Sequence, residues 1–142
     1  MKIGTKYFGN IEIGEEKIIH FENGVLGFED YKDYTILYDN EKEKSFFSWL
    51  QSTEESSLAF PIVNPFNVVE SYNPQINDDM LESIGGISDE DTVVFLMATI
   101  PEDVKQASVN MKAPLIINAS SRKGVQVIAE GQEYEIKHKL LK

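Results

Sequence analysis

Eleven carboxylates and no lysine or arginine lie between Ser45 and Val104: Glu54, Glu55, Glu70, Asp78, Asp79, Glu82, Asp89, Glu90, Asp91, Glu102 and Asp103. Carboxylates at that density offer three kinds of chemistry. Paired at close range, they transfer protons. Alternating around a central glycine, they hold calcium. Unpaired, they project a negative field that repels phosphates and steers basic partners. Ser88-Asp89-Glu90-Asp91 lacks the alternation, central glycine and closing Glu of a calcium loop, so it reads as an acidic turn. Proton transfer depends on distances that spacing alone does not give. The field needs only uncancelled charge. Residues 1–44 hold six lysines against ten acids, and residues 105–142 hold seven basic groups against three. The flanks cancel, so the window equals the formal net charge of −11. Such a run serves solubility as well as docking.

Other reactive groups are sparse. His20 lies in the strand-like run Lys17–Phe21 and reads as a partly exposed strand residue; His138 lies in a lysine-rich tail and reads as solvated. Neither has the spacing of a helix-borne zinc site. No Gly-x-Ser-x-Gly elbow, dinucleotide-binding glycine pattern or Walker-type Gly-Lys-Ser/Thr occurs. With no cysteine, thiolate catalysis, disulfides and cysteine-ligated metals are excluded. No motif points to a cofactor or metal, and catalysis by paired carboxylates is left to their distances. An acidic chain is a poor direct ligand for nucleic acid or anionic membranes, because phosphate attraction needs clustered Lys and Arg. No apolar run approaches a membrane span, and Met1–Thr5 has no apolar signal core, so cytoplasmic residence is expected.

The elements that must carry these residues are mostly strands. With 142 residues, the chain has one domain's length, 1–142, with 131–142 as a lysine-rich tail. Ile3–Phe8 and Ile11–Ile13 alternate about a Gly9-Asn10 hairpin signal. Further strand candidates are Lys17–Phe21, Tyr34–Tyr38, Phe46–Gln51, Leu58–Val63, Asn67–Tyr72, Thr92–Thr99, Leu115–Asn118, Val125–Glu130 and Tyr134–Lys137. All are rich in residues that suit a pleated, half-buried surface. Their spacing predicts an all-β barrel or sandwich of about ten short strands. Thr92–Thr99, apolar and uncharged, reads as central and buried on both faces. Asn77 predicts a capped helical turn over Asp78–Ile84 that Gly85 stops, and Pro101–Val104 predicts another. Asn40–Lys44 reads as a charged, mobile turn.

Leu58–Phe66 carries Pro61 and Pro65 among aromatics. Proline donates nothing to a sheet ladder, so Pro61 predicts an edge, a bulge or a strand entry. Phe60 and Phe66 read either as core or as neighbours of an edge that accepts an added strand. Trp49, the one tryptophan, reads as a core anchor.

Six segments in order carry a resemblance. Phe21-Glu22-Asn23-Gly24-Val25-Leu26-Gly27-Phe28-Glu29, Trp49–Ser52, Leu58–Phe66, Thr99–Asp103, Asn110–Asn118 and Arg122–Ile128 resemble successive blocks of the flagellar assembly factor FliW family. They span about residues 2–128. Leu26 stands where many members carry Pro, and the segment after Gly131 matches little.

The resemblance implies a compact, single-domain β-barrel-like fold with one or two short helical turns. It also implies a regulator that binds the translational repressor CsrA, a small basic RNA-binding dimer, and relieves repression of flagellin synthesis. Flagellin binding in a partner-switch feedback is implied too. Alternatives are a flagellin-dedicated chaperone without CsrA antagonism, and a small-ligand-binding barrel. The protein is expected to be monomeric on its own. Charge and edge character, not the family blocks, nominate Asp78, Asp79, Glu82, Asp89, Glu90 and Asp91 as an RNA-repelling set and Asn64, Phe66, Glu70 and Tyr72 for direct docking. Gly24, Gly27, Pro65 and Pro114 read as scaffold.

Overall fold

The computed structural model describes residues 1–38, 47–86, 90–130 and 134–140. Asn40–Lys44, Phe46 and Asp89 lie outside them. Among the described residues there are eleven strands: β1 (Lys2–Gly4), β2 (Asn10–Glu12), β3 (Ile19–Phe21), β4 (Asp33–Tyr38), β5 (Ser48–Ser52), β6 (Ala59–Val63), β7 (Thr92–Thr99), β8 (Ser108–Val109), β9 (Leu115–Asn118), β10 (Lys123–Gln126) and β11 (His138–Lys139). β1 and β2 form a separate hairpin. The other nine run in the order β11-β8-β7-β6-β5-β4-β3-β10-β9, and β9 pairs back onto β7. Seven strands therefore close a barrel, which removes the free edges of a flat sheet. All its pairings are antiparallel except β3 with β10, where Lys123 lies beside His20 and Gly124 beside Phe21.

Side chains alternate across each strand, so every strand divides its apolar residues between two faces. Inward residues Phe21, Val25, Tyr34, Leu50, Ile62, Phe95, Leu115 and Ile117 form the barrel core. On the outside, Val63, Leu96 and Ala98 pack with Tyr72, Val109 and Met111. A third cluster joins Leu81 and Ile84 to Ile116 and Val127. β7 separates the first two cores, with Phe95 on one side and Leu96 on the other. Its predicted double burial holds for Phe95–Leu96, whereas Val93 is 40% exposed.

Several elements differ from expectation. Asn67–Tyr72 is not a strand. The Asn64 side chain accepts the Phe66 amide, Pro65–Asn67 forms a 3-10 turn, and the amides of Val68 and Val69 both donate to Pro65 O. With the barrel closed, the β-prone residues Val68, Val69 and Tyr72 instead cover the outer face of β6–β8. The first strand stops at Gly4, because the Thr5 amide and hydroxyl both donate to Gly9 O and close a longer turn. The helical turn near Pro101 begins later, at Val104–Gln106, where the Gln106 and Lys105 amides donate to Asp103. β8, too short to show a period, has no counterpart among the expected strands. The tail strand lies at His138–Lys139 rather than 134–137, so His138 is half-buried beside Val109. Of Val125–Glu130, only Val125 and Gln126 belong to β10, and Glu130 forms an isolated antiparallel bridge with Gln75. Pro61 is no edge residue on the β5 side, where it pairs Trp49; β7 pairs only Ile62 and Val63. Phe60 packs half-buried against the core, but Phe66 is 64% exposed. Trp49 faces outward, half-buried under the Tyr7 ring at 4.4 Å between centroids.

Candidate partner-binding surfaces

The segment Asp78–Ile84 forms the expected capped turn, as a 3-10 helix. Asn77 Oδ1 accepts the Asp79 amide, and the chain leaves at Gly85 with φ of 86°. Leu81 and Ile84 are buried beneath it, which leaves Asp78, Asp79 and Glu82 exposed. Glu90 is exposed and Asp91 half-buried. Asn118, at the end of β9, ties the two acid groups together. Its side-chain amide donates to Ile84 O at 3.0 Å and Gly86 O at 3.3 Å. Its oxygen accepts the Ser120 and Ser121 amides. The next amide, Ala119, donates to Asp91 O at 2.8 Å.

The rest of the acidic window does not join this surface. Glu54 lies across from β4, accepting the Lys32 and Asp33 amides at 2.8 and 2.9 Å. Those two bonds, Asp33's first, hold its carboxyl below the usual range. The amide and hydroxyl of Ser57 do the same for Glu55. Glu102 and Asp103 sit on the turn after β7. Carboxylates contiguous in sequence are thus distributed around the barrel.

The four docking candidates divide by burial. Asn64 serves as a cap, while Phe66 and Glu70 are exposed next to it. Tyr72 is 9% exposed, so it acts through packing. Its hydroxyl donates to Met111 O, and its ring meets Tyr134 edge-on at 4.8 Å. Burial, then Tyr134, raises its pKa. Tyr72→Phe removes the donor and leaves Met111 O unsatisfied in that bond, so a loss of about 1–2 kcal/mol in a urea titration is expected. Binding by the exposed Phe66 side should persist in that variant.

No cluster of three or more metal-ligating groups occurs among the described residues. His20 Nδ1 lies 2.7 Å from Asp33 Oδ1 on an exposed strand face. The Tyr34 hydroxyl is buried without a hydrogen-bond partner, and its pKa is pushed up to about 12 by burial, then by Glu54 and Tyr31. A cleft of about 590 Å³ opens at one barrel end, where inward residues Ile19, Ile36, Phe95 and Ile117 meet Lys17 and Arg122. No described helix is long and apolar enough to cross a membrane.

The FliW protein family model matches residues 2–140. The flagellar assembly factor FliW of Lachnoclostridium phytofermentans is 50% identical over 97% of this chain and 89% of its own length. That of Lachnospira eligens is 42% identical over 97% and 93%. A crystal structure of the flagellar assembly factor FliW superposes with a TM-score of 0.90 at 32% identity, covering all of this chain and 98% of the other.

Proposed function

From the premise that this chain belongs to the FliW family of flagellar assembly factors, we propose that it is a protein-binding regulator that antagonises the translational repressor CsrA. In this reading it docks on CsrA, lowers its hold on RNA and so relieves repression of flagellin synthesis. Flagellin competes for it and closes a feedback loop. The observation that supports the reading best is the surface of Asp78, Asp79, Glu82 and Glu90, anchored through Asn118 and set in a stretch, residues 45–104, that holds no lysine or arginine.

RNA affinity rests largely on neutralised phosphates. Carboxylates held beside a basic RNA path raise the free energy of the RNA complex without occupying its site. An exposed charge pair at 4 Å is worth roughly 1 kcal/mol in water, and screening sets in at about 8–10 Å. Several carboxylates near the path supply coupling of about 1–3 kcal/mol, the usual range for antagonism between sites.

The direct test is calorimetric titration with CsrA from the same organism, alone and after saturation with flagellin. Binding that flagellin abolishes supports the switch. Flagellin binding without CsrA binding moves the chain to the dedicated-chaperone reading. For the electrostatic step, Asp78→Lys/Asp79→Lys/Glu82→Lys is expected to fold normally and to weaken RNA displacement about tenfold or more. Undiminished RNA release by that variant would sink the mechanism.

A further inference from the structure

We propose that the loop after β3, residues 22–30, is a second, preformed interaction surface for a basic protein segment carrying an aliphatic or aromatic anchor. The loop presents apolar side chains at its tip. Leu26 is 49% exposed and Phe28 40%, and the Phe28 ring meets the half-buried Phe60 edge-on at 5.0 Å. A single exposed leucine is ordinary. An exposed Leu–Phe pair on a rigidly held turn, with Phe28 backed by the half-buried Phe60, is a different matter.

The rigidity is explicit in the hydrogen bonds. The Phe28 amide donates to Val25 O at 2.7 Å, and Gly27, with φ of 87°, takes the left-handed third position of the turn. The Leu26 amide donates to Gln126 Oε1 on β10, and the Gly27 amide to Glu29 Oε1. Gly24 has φ of 69°, and a Cβ there would lie 2.6 Å from Glu29 Cα, so the loop's two limbs touch backbone to backbone. Val25 is fully buried and roots the loop in the core. A turn fixed this firmly loses little further freedom on binding, which favours affinity.

Charge identifies the occupant. Exposed Glu22, Glu29 and Asp30 belong to the loop, and Glu54 sits beside it with its charge held by two backbone amides. Lys32, two residues past the loop, donates its ammonium to the Glu22 and Glu29 backbone carbonyl oxygens. Lys123 lies beside His20 across β3–β10, and His20 Nδ1 faces Asp33 Oδ1 at 2.7 Å. An apolar tip framed by carboxylates complements Lys or Arg flanking an apolar residue, and repels a second copy of itself.

A peptide of alternating lysine and leucine provides the probe, followed by amide NMR shifts. The expected perturbations centre on residues 22–32, fade as salt rises, and fall several-fold in Leu26→Ser/Glu22→Lys, whose side chains are exposed and whose thermal midpoint should be unchanged. Perturbations centred on Asp78–Glu82 instead, or insensitive to that variant, overturn the proposal. So does binding of the wild-type tip to zwitterionic lipid vesicles in place of the peptide. Neither readout uses CsrA or flagellin, so failure of the regulatory reading above is distinguishable from failure here.

Discussion

Phe21→Ala is expected to cost about 3–5 kcal/mol, and Gly124→Val added to it should return part of that loss. Phe21 is fully buried, packs edge-on against Tyr34 at 5.5 Å, and lies directly beneath Gly124. A Cβ built on Gly124 would stand 2.5 Å from the Phe21 ring. The glycine is there because the ring fills its side-chain space. Truncating a buried Phe removes transfer free energy and leaves a cavity. For a chain of this size that lowers the thermal midpoint by on the order of 10 °C. Gly124→Val alone drives methyl groups into a rigid ring and should cost about 1–3 kcal/mol by overpacking. In the double variant the valine enters the vacated space, so the two losses must not add. Urea titration of the four proteins measures the cycle. Losses that sum within about 0.5 kcal/mol would show that the two residues do not share one packing site, contrary to the contact.

The pair also illustrates what a linear reading of the chain reveals and what it hides. Strands with clear alternation or a charge-free apolar run were legible: Leu115–Asn118 and Thr92–Thr99 occupy their expected bounds, and Asp33–Tyr38 starts one residue early. The turn over Asp78–Ile84 was legible because Asn77 and Gly85 do local work, one accepting an amide and the other adopting a left-handed backbone. Closure was not legible. β3 lies parallel to β10 across about a hundred residues, and no local signal encodes such a pairing. Asn67–Tyr72 failed for the converse reason. β-propensity records fitness for a pleated surface, and a closed ring offers that segment no edge.

The candidate surfaces show the same division. Asp78, Asp79 and Glu82 were nominated by their charge, and the capped turn leaves all three exposed. Clustering of all eleven acids did not follow, since Glu54 and Glu102 leave with different turns. Tyr72, read as the end of a strand and a docking candidate, is buried, and its hydroxyl has a buried acceptor. Leu26 registered only as an unusual residue in a glycine-framed turn. Its exposure depends on Gln126, a hundred residues away, holding the loop upright.

Asn118 joins stability to the proposed function, and its replacement should affect both. Asn118→Ala deletes two donors to Ile84 O and Gly86 O and the acceptor of two amides. Ser121 Oγ also donates to Ile84 O at 2.8 Å, so that carbonyl stays satisfied, whereas Gly86 O loses the bond it receives here. The expected loss is about 2 kcal/mol, since part of the set is open to water. Hydrogen exchange at residues 80–86 should accelerate, because local opening no longer has to break the tie to β9. Asn118→Asp is the sharper variant. It keeps an acceptor for Ser120 and Ser121 but turns a carboxylate toward two carbonyl oxygens. Ionisation is then disfavoured in the folded state, which raises the folded pKa above the unfolded value. The aspartate variant should therefore be less stable than Asn118→Ala at neutral pH and should recover as pH falls through that raised pKa, when its proton supplies a donor. If the acidic surface acts by position as well as charge, either variant should weaken RNA displacement with every carboxylate still present. Full RNA release by a destabilised Asn118→Ala would mean that net charge alone suffices, and that anchoring at β9 serves only the fold.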